Sequence, residues 1–599
     1  MVGKHASNLQ RHIERKHNSE YKKYLEEVSG DGHKKRKGEG EESRKIDTKK
    51  QCTLMNPFQK TIQILMTAQA LMNACVALVT EDGRPFSAIN DAGFRAIIDP
   101  ILIRFPALIL TPATVRKQVQ IEAEKLRVSL GKSLINRLIA VKIDIATRLN
   151  RKILGVNIQY VLKGIIHLRT LSVSELHERA TGEYVKQTLL SVFKRFNLSL
   201  KQIFSITTDN GSNLIKSVKL LNEQLKKDEK DDDLEKEIDT DADMDDEDCI
   251  RDVGGVEELE ESNFDDLEVT NYRCAAHTLQ LAIEDALKTK NQLLGLVRNL
   301  CRKLRTPNIR LLLIKAGMKM PILDCVTRWS STFAMLERIL KLKDFSSDLS
   351  VTSSDFDILG EQHWTEVREL ASILAPAKVA TLRLQAENLT IGDFCGIWQR
   401  LLLDLNKFQD QFSTILIEKL RSRESALFEN DLFCAGVFLD PRFQCLLSEE
   451  QTIKAIQMLA KIWNRMVDLT EGRHDVPGSS KDQEEEEEMD PLEKMLKEKD
   501  AARKEERQVG QGTVISALES FRNVERVPAD GDVLRYWQDR EFSHPFLFKL
   551  SNITNSMPVT QVSVERLFSS LGFILSPLRE QLTADIVEDI LFLRCNKKH

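Results

Sequence analysis

The feature that most constrains the fold is a switch to two-residue periodicity after residue 137. Ile139, Val141 and Ile143 alternate with Ala, Lys and Asp, and residues 154–160 and 165–171 can supply two further strands. Alternation of this kind places the apolar side chains on one face of a sheet. The chain is therefore expected to build a β-sheet at this point.

The segment after these strands continues the same pattern of elements. A helix is predicted at about 181–196, followed by a buried strand at 203–209 that ends in a carboxylate. Asn210-Gly211-Ser212 is turn chemistry that leads into a further helix. Three strands, a helix, a strand and a helix predict an α/β sheet with helices on its faces.

Charge divides the chain more sharply than its net charge of −5 suggests. Residues 1–50 carry 14 Lys/Arg against 9 Asp/Glu, whereas residues 228–268 carry 22 Asp/Glu against 3 Lys/Arg. A run as acidic as 228–268 cannot bury enough apolar surface to fold, so it is expected to be a solvated loop that could dock on a basic protein partner. Residues 472–509 are similarly charged.

Composition also bounds the class of protein. The chain has 599 residues, of which 42% are apolar, so several domains with sizeable cores are expected. No run approaches 18 apolar residues, so no membrane partner is expected. Ten cysteines without a paired framework favour a reducing compartment.

Two apolar helices are predicted near the C-terminal end of the sequence. Their apolar faces are Val564, Leu567, Phe568 and Leu571 in the first, and Val587, Ile590 and Leu591 in the second. Such faces must bury against the rest of the chain or against a second copy of it.

This C-terminal stretch resembles the dimerisation segment of hAT-family transposases. The matching residues are Ser563, Glu565, Arg566, Phe568, Ser569, Gly572, Ile574, Ser576, Arg579 and Leu582. Further blocks similar to that family lie, in family order, at 273–281, 327–332 and 439–443. The resemblance extends from about residue 60 to 597, outside the two charged runs.

The resemblance implies an α/β RNase H-like core that is interrupted by a large all-α insertion and is followed by a C-terminal helical dimerisation segment. The expected divisions are a zinc-finger remnant at 1–28, a basic linker at 29–55, a helical domain at 56–130, the first part of the core at 131–285, the insertion at 286–470, a charged segment at 471–510 and the dimerisation region at 528–597.

The resemblance also implies a catalytic set of three carboxylates: Asp144, Asp209 and Glu565. In that family two divalent metals clamp the attacking and leaving oxygens of a phosphodiester, and Mg²⁺ suits an all-oxygen site. Taken singly, an Asp at a strand end is more often a turn or cap residue, and a Glu on a helix flank is usually solvated. The tryptophan that often follows the first aspartate in the family is missing after Asp144.

Two residues of the 327–332 block are expected to contact DNA. Trp329 matches a family tryptophan that stacks on a flipped base, with a buried core tryptophan as the equal alternative. Arg328 beside it could contact phosphate. Cys274 and His277 are interpreted as packing residues, because no further metal ligands are suitably spaced.

The N-terminal segment resembles the second half of a BED-type zinc finger, with Ser7, Asn8 and Leu9 preceding His12 and His17. Two imidazoles alone cannot close a tetrahedral site, so Zn²⁺ is expected only if an upstream cysteine pair completes the finger. The basic run Lys34, Lys35, Arg36 and Lys37 is a candidate nuclear import signal or phosphate-contacting patch.

Two functions follow from these features. The first is a nuclear protein derived from a hAT transposase, which binds double-stranded DNA, forms homodimers or larger homo-oligomers, and regulates transcription or chromatin. The alternative is an active Mg²⁺-dependent DNA transposase of the Asp-Asp-Glu type that cuts and joins transposon ends.

Overall fold

The computed structural model describes residues 66–209, 211–234, 269–325, 328–352, 356, 358–471, 510–575 and 581–597. The calls on His12, His17 and Lys34–Lys37, and those on the acidic run beyond residue 234, lie outside these residues.

Three α-helices of the described residues precede the sheet. They are α1 (Ala68–Thr80), α2 (Ala92–Leu102) and α3 (Pro112–Ser133). Thr111 begins α3 with a capping box, since its hydroxyl accepts from the Thr114 amide while the Thr114 hydroxyl accepts from the Thr111 amide. The helical character predicted for this region is confirmed over its described part.

The sheet of the described residues has five strands. They are β1 (Ile139–Arg148), β2 (Arg151–Leu162), β3 (Ile165–Leu176), β4 (Ile203–Thr208) and β5 (Thr270–Arg273). Their order is β3-β2-β1-β4-β5. The three long strands pair antiparallel, whereas β4 and β5 run parallel to β1. The four strands predicted from periodicity are therefore confirmed.

Two tight turns connect the antiparallel strands. Leu149 and Asn150 join β1 to β2, and Lys163 and Gly164 join β2 to β3, all with positive φ between 48° and 68°. Positive φ at both central residues is what the favoured two-residue hairpin requires, because it matches the twist of the flanking strands. The register of the long strands follows from these turns.

The fifth strand is not among the strands that the sequence predicts. Thr270–Arg273 instead pairs with β4, from Ser205↔Thr270 to Thr208↔Arg273. Four residues are too few to show a recognisable alternation of apolar and polar side chains. The strand is therefore evident only from its pairing with β4.

Helices pack on both faces of the sheet. The two beside β4 are α4 (Gly182–Arg195) and α5 (Ser212–Leu234). The α-helices described after β5 are α6 (Ala275–Leu287), α7 (Asn291–Leu304), α8 (Pro307–Lys315), α9 (Trp329–Leu340), α10 (Lys343–Thr352), α11 (Glu361–Leu384), α12 (Ile391–Leu405), α13 (Gln411–Phe428), α14 (Asp431–Phe438) and α15 (Glu449–Glu471). No helix of the described segments is long and apolar enough to cross a membrane.

The last five helices return the chain to the sheet. They are α16 (Gly510–Phe521), α17 (Val533–Gln538), α18 (Pro545–Thr554), α19 (Val562–Ile574) and α20 (Ala584–Asn596). Helix α20 is fixed by an ion pair between Arg127 and Asp589 at 2.5 Å. The Asn596 side chain also donates to the Thr170 carbonyl at 2.8 Å and accepts from the Thr170 amide at 3.0 Å. The end of the chain thus completes the core that β1–β3 began.

Candidate functional site

Two of the predicted carboxylates occupy equivalent positions along two neighbouring parallel strands, β1 and β4. The register of β1 and β4 includes Lys142↔Thr207, so Asp144 and Asp209 each follow that pair by two residues. Asp144 accepts a hydrogen bond from the Ile145 amide, and Asp209 accepts one from the Gly211 amide, both at 2.8 Å. The parallel pairing therefore brings both aspartates to one edge of the sheet.

The third carboxylate arrives on α19, whose N-terminal approach is bound to the same strands. The Gln561 Nε2 atom donates to the Ile143 carbonyl at 2.5 Å and to the Thr207 carbonyl at 3.3 Å. The Thr207 hydroxyl donates to the Pro558 carbonyl at 2.9 Å. These bonds span β1 and β4 one or two residues before the aspartates, and they place Glu565 one helical turn further on.

A glycine lets α19 lie close to the sheet at this point. Gly155 pairs with Asp144 across β1 and β2. A Cβ atom at Gly155 would lie 2.7 Å from Val564 Cγ1 and 3.2 Å from Leu567 Cδ2. The lack of a side chain at this position therefore sets the separation between α19 and the strand that carries Asp144.

The charges of the three carboxylates interact. Burial raises the pKa of Asp144 to about 7, with a further increase from the charge of Asp209 and a smaller one from Glu565. The Ile145 amide opposes this increase by donating to the ionised carboxylate. Asp144 is therefore about half protonated at neutral pH in this arrangement.

A buried lysine shares this face of β1. Lys142 lies two residues before Asp144 and is only 3% exposed. Burial lowers its pKa to about 8, while nearby Cys274 and Glu387 partly oppose that shift. The edge thus combines a carboxyl and an ammonium group that burial drives toward their neutral forms.

The donor chemistry of Asp144, Asp209 and Glu565 suits Mg²⁺, which prefers carboxylate oxygens. Their placement does not yet form a coordination cluster, since no group of three His, Cys, Asp or Glu side chains within the described residues could hold a metal ion.

The residues expected to contact DNA are placed differently from one another. Trp329 is 2% exposed and packs edge-on against Phe333, with ring centroids 6.3 Å apart. Arg328, the N-cap residue of α9, is exposed. Stacking on a base would require Trp329 to leave the core, whereas Arg328 is accessible to phosphate.

The apolar residues expected to mediate dimerisation are mostly buried within the chain itself. Val564, Leu567, Leu571, Val587, Ile590 and Leu591 are each at most 3% exposed, and Phe568 is partly buried. They belong to the core shared by the sheet, α3 and α4. Of the two alternatives that the sequence left open for these faces, the structure shows burial against the rest of the chain.

The structure also shows a basic surface that the sequence analysis missed. Between Asp285 and Asp324 the chain has nine Lys/Arg and no Asp/Glu, and α7, α8 and the loop after α8 lie there. The exposed members on α7, α8 and the loop after α8, which we call the basic surface, are Arg302, Arg305, Arg310, Lys315 and Lys319. A count of charges over this window would have found it.

Comparisons with known proteins agree with the fold. Residues 272–373 match the family model "ZBED1 RNase-like helical domain", and residues 515–596 match the model of the hAT family C-terminal dimerisation region. The first match covers part of β5 and the helices that follow it in sequence, and the second covers most of α16–α20.

Three curated relatives align with the chain. It is 25% identical over 351 residues to human zinc finger BED domain-containing protein 4, covering 55% of this chain and 29% of that protein. It is 23% identical over 598 residues to tpeD of Talaromyces stipitatus, named as a candidate transcriptional regulator, covering 89% of this chain and 62% of that protein. It is 24% identical over 183 residues to the transposable element Hobo transposase of Drosophila melanogaster, covering 28% of each chain.

These matches confirm the resemblance to hAT transposases and to BED zinc-finger proteins related to them. The chain carries an RNase-like helical domain and a hAT C-terminal dimerisation region. It spans less than two thirds of the length of each of the three relatives.

Proposed function

We propose that this chain is a nuclear, self-associating regulator derived from a hAT transposase, and that it acts by binding double-stranded DNA. The observation that carries the proposal is the basic surface, whose five exposed cations occupy a stretch without a single carboxylate. Such a surface attracts the phosphate backbone whatever the base sequence. The alignment with a candidate transcriptional regulator over 89% of this chain supports the regulatory part of the proposal.

We also propose that the sheet is an RNase H-like core. Support comes from the strand order β3-β2-β1-β4-β5, with the first three strands antiparallel and the last two parallel to β1. In this scheme the helices from α7 to α15 belong to the all-α insertion. The loop before α9 is joined to α7 by the ion pair between Arg298 and Asp324, which is 2.8 Å long.

DNA binding by the basic surface can be measured by fluorescence anisotropy on labelled duplex DNA over a series of salt concentrations. Neutralising Arg302 and Arg310 together (Arg302→Gln with Arg310→Gln) should weaken binding to every duplex. It should also reduce the slope of log K against log salt by about 2, because each phosphate contact contributes about 0.9.

A matched double variant, Arg400→Gln on α12 with Lys407→Gln just after it, removes two exposed cations outside the basic surface. It should bind like the wild type. Equal affinities and salt slopes for the two double variants would show that the basic surface does not contact DNA.

A second candidate function is Mg²⁺-dependent cleavage of DNA strands. It is favoured by one observation, namely that Asp209 and Glu565 both raise the pKa of Asp144 across a sequence separation of up to 421 residues.

The test is strand cleavage of duplexes that carry terminal inverted repeats, in the presence of Mg²⁺. If the wild type cuts, Asp209→Asn and Glu565→Gln should abolish cutting while exposed Asp99→Asn leaves it intact. Cutting that persists in both carboxylate variants would reject the assigned residues, and a wild type that never cuts would leave the regulator as the better proposal.

A further inference from the structure

Phe542 is the most exposed of the large apolar side chains described, at 95%. It lies in the short connection between α17 and α18, within the region that matches the hAT dimerisation model. A large aromatic side chain that is fully exposed to water contributes no burial energy to the fold of the isolated chain. Aromatic residues are also enriched among those that dominate the binding energy of protein interfaces.

A cavity of about 290 Å³ opens beside this phenylalanine. Its walls come from the β2–β3 hairpin, the turn after α3, and helix α18, and its lining includes Leu138, Tyr160, Lys163, Phe548, Lys549 and Asn552. Glu541, the neighbour of Phe542 in sequence, is part of the rim. The protruding ring and the cavity are therefore adjacent features of one surface.

The surroundings of the cavity extend the apolar area. Ile135 and Ile165 are 42% and 58% exposed, and they lie next to or near the lining residues Asn136 and Lys163 in sequence. A protruding aromatic ring, a partly apolar cavity and exposed isoleucines together describe an unpartnered surface that fits an apolar anchor.

Charges of both signs surround the two features. Asp539 and Glu541, which both precede Phe542 in sequence, are exposed, and so are Lys163 and Lys549 at the cavity, which Glu541 also lines. In a two-fold pair, the same patch faces itself in reverse, so that the ring of each copy meets the cavity of the other. The acidic residues beside each ring would then face the lysines of the partner cavity.

We infer that two copies of this chain pair through this surface, with Phe542 of each copy inserted into the cavity of the other. The inference rests on the self-association in the proposed function, and it names the surface that performs it. The buried apolar residues of α19 and α20 already close the chain's own core, whereas Phe542 presents the most exposed large apolar side chain of the dimerisation region.

The mass of the full chain in solution tests the inference by light scattering and sedimentation equilibrium. The wild type should approach twice 68.4 kDa. Phe542→Glu should raise the dimer Kd by about 30-fold or more, as expected for loss of a central aromatic anchor. Leu403→Glu is the matched control, because Leu403 on α12 is also an exposed apolar side chain, at 61%, and its replacement should leave the Kd unchanged.

A charge exchange tests the geometry itself. Glu541→Lys and Lys549→Glu should each weaken pairing, and the two together should restore it, because the exchanged charges meet across the two-fold axis. As a direct probe, benzoyl-phenylalanine in place of Phe542 should cross-link to residues 548–556 of an isotope-labelled second copy.

The outcomes separate this inference from the broader proposal. A wild type that stays monomeric at every concentration would overturn self-association as a whole. A wild-type dimer that Phe542→Glu leaves intact, or cross-links confined to a single copy or to another face, would overturn only this surface. Unchanged melting temperatures of the variants confirm that they are folded.

Discussion

Gln561 and Ile143 are 418 residues apart in sequence, yet the Gln561 Nε2 atom donates to the Ile143 carbonyl oxygen at 2.5 Å. The same amide donates to the Thr207 carbonyl at 3.3 Å, so a single side chain spans the two parallel strands. This contact is what joins the C-terminal helices to the edge that carries Asp144 and Asp209.

Replacing Gln561 with Leu should lower the free energy of unfolding by about 1–3 kcal/mol, since two buried carbonyl groups lose their donor. Urea denaturation followed by circular dichroism measures the change. Gln581→Leu is the control, because Gln581 is exposed, and it should change stability by no more than about 0.5 kcal/mol. Equal losses in both variants would contradict a structural role for Gln561.

Replacing Gly155 with alanine should destabilise the protein, whereas replacing Gly295 with alanine should stabilise it. At Gly155 the added Cβ would lie 2.7 Å from Val564 Cγ1, so the helix must move, at a cost of about 1–3 kcal/mol. At Gly295 in α7 nothing lies within 4 Å, and alanine should stabilise the helix by about 0.5–1 kcal/mol. Urea midpoints of the two variants, compared with the wild type, check both signs.

Asp144→Asn should stabilise the protein in a pH-dependent way. The pKa of Asp144 is about 7 when folded against 3.8 ordinarily. Between these values the unfolded chain is ionised while the folded chain still holds a proton, so wild-type stability falls as the pH rises. The variant escapes this penalty and should gain up to about 4 kcal/mol at pH 8 and almost nothing at pH 4.

Unfolding free energies in metal-free buffer at pH 4, 6 and 8 measure this gain. Asp99→Asn, at an exposed position, should show no such trend. A gain for Asp144→Asn that is the same at all three pH values would mean that the carboxyl is not perturbed in the folded chain.

Lys142→Met should stabilise the protein at neutral pH. Burial lowers the pKa of Lys142 from 10.5 to about 8, so at pH 7 the folded chain holds a buried ammonium at a cost. The gain in the free energy of unfolding should be up to about 3 kcal/mol at pH 7. It should become smaller as the pH rises from 8 toward 10.5, because the folded wild type is deprotonated at Lys142 over this range while the unfolded chain still holds the proton. Thermal unfolding at pH 7 and 9.5 checks this, with exposed Lys152→Met as the unchanged control.

Local periodicity predicted the elements that have enough residues to show a period. Alternation at Ile139, Val141 and Ile143 gave β1, and the helix predicted at about 181–196 is α4, which the Thr181 side chain caps. The same approach could not recover β5, since Thr270–Arg273 is extended only because Ser205–Thr208 lies beside it.

For the candidate site, the sequence supplied the residue types and the structure supplied their neighbours. The register of β1 and β4 sets Asp144 and Asp209 side by side, and Gln561 and Gly155 determine how closely Glu565 approaches. Trp329 has the same neighbours in sequence whether it faces DNA or the core, and its contact with Phe333 places it in the core.

By itself, the sequence determined which side chains are apolar, where strands and helices form, and which carboxylates stand at strand ends. The tertiary structure decided which surface buries each apolar face. Val564 and Leu591 close the chain's own core, while Phe542 remains in water. The physical reason is that an apolar period fixes the need for burial but not the partner, which only contacts between distant parts of the chain can supply.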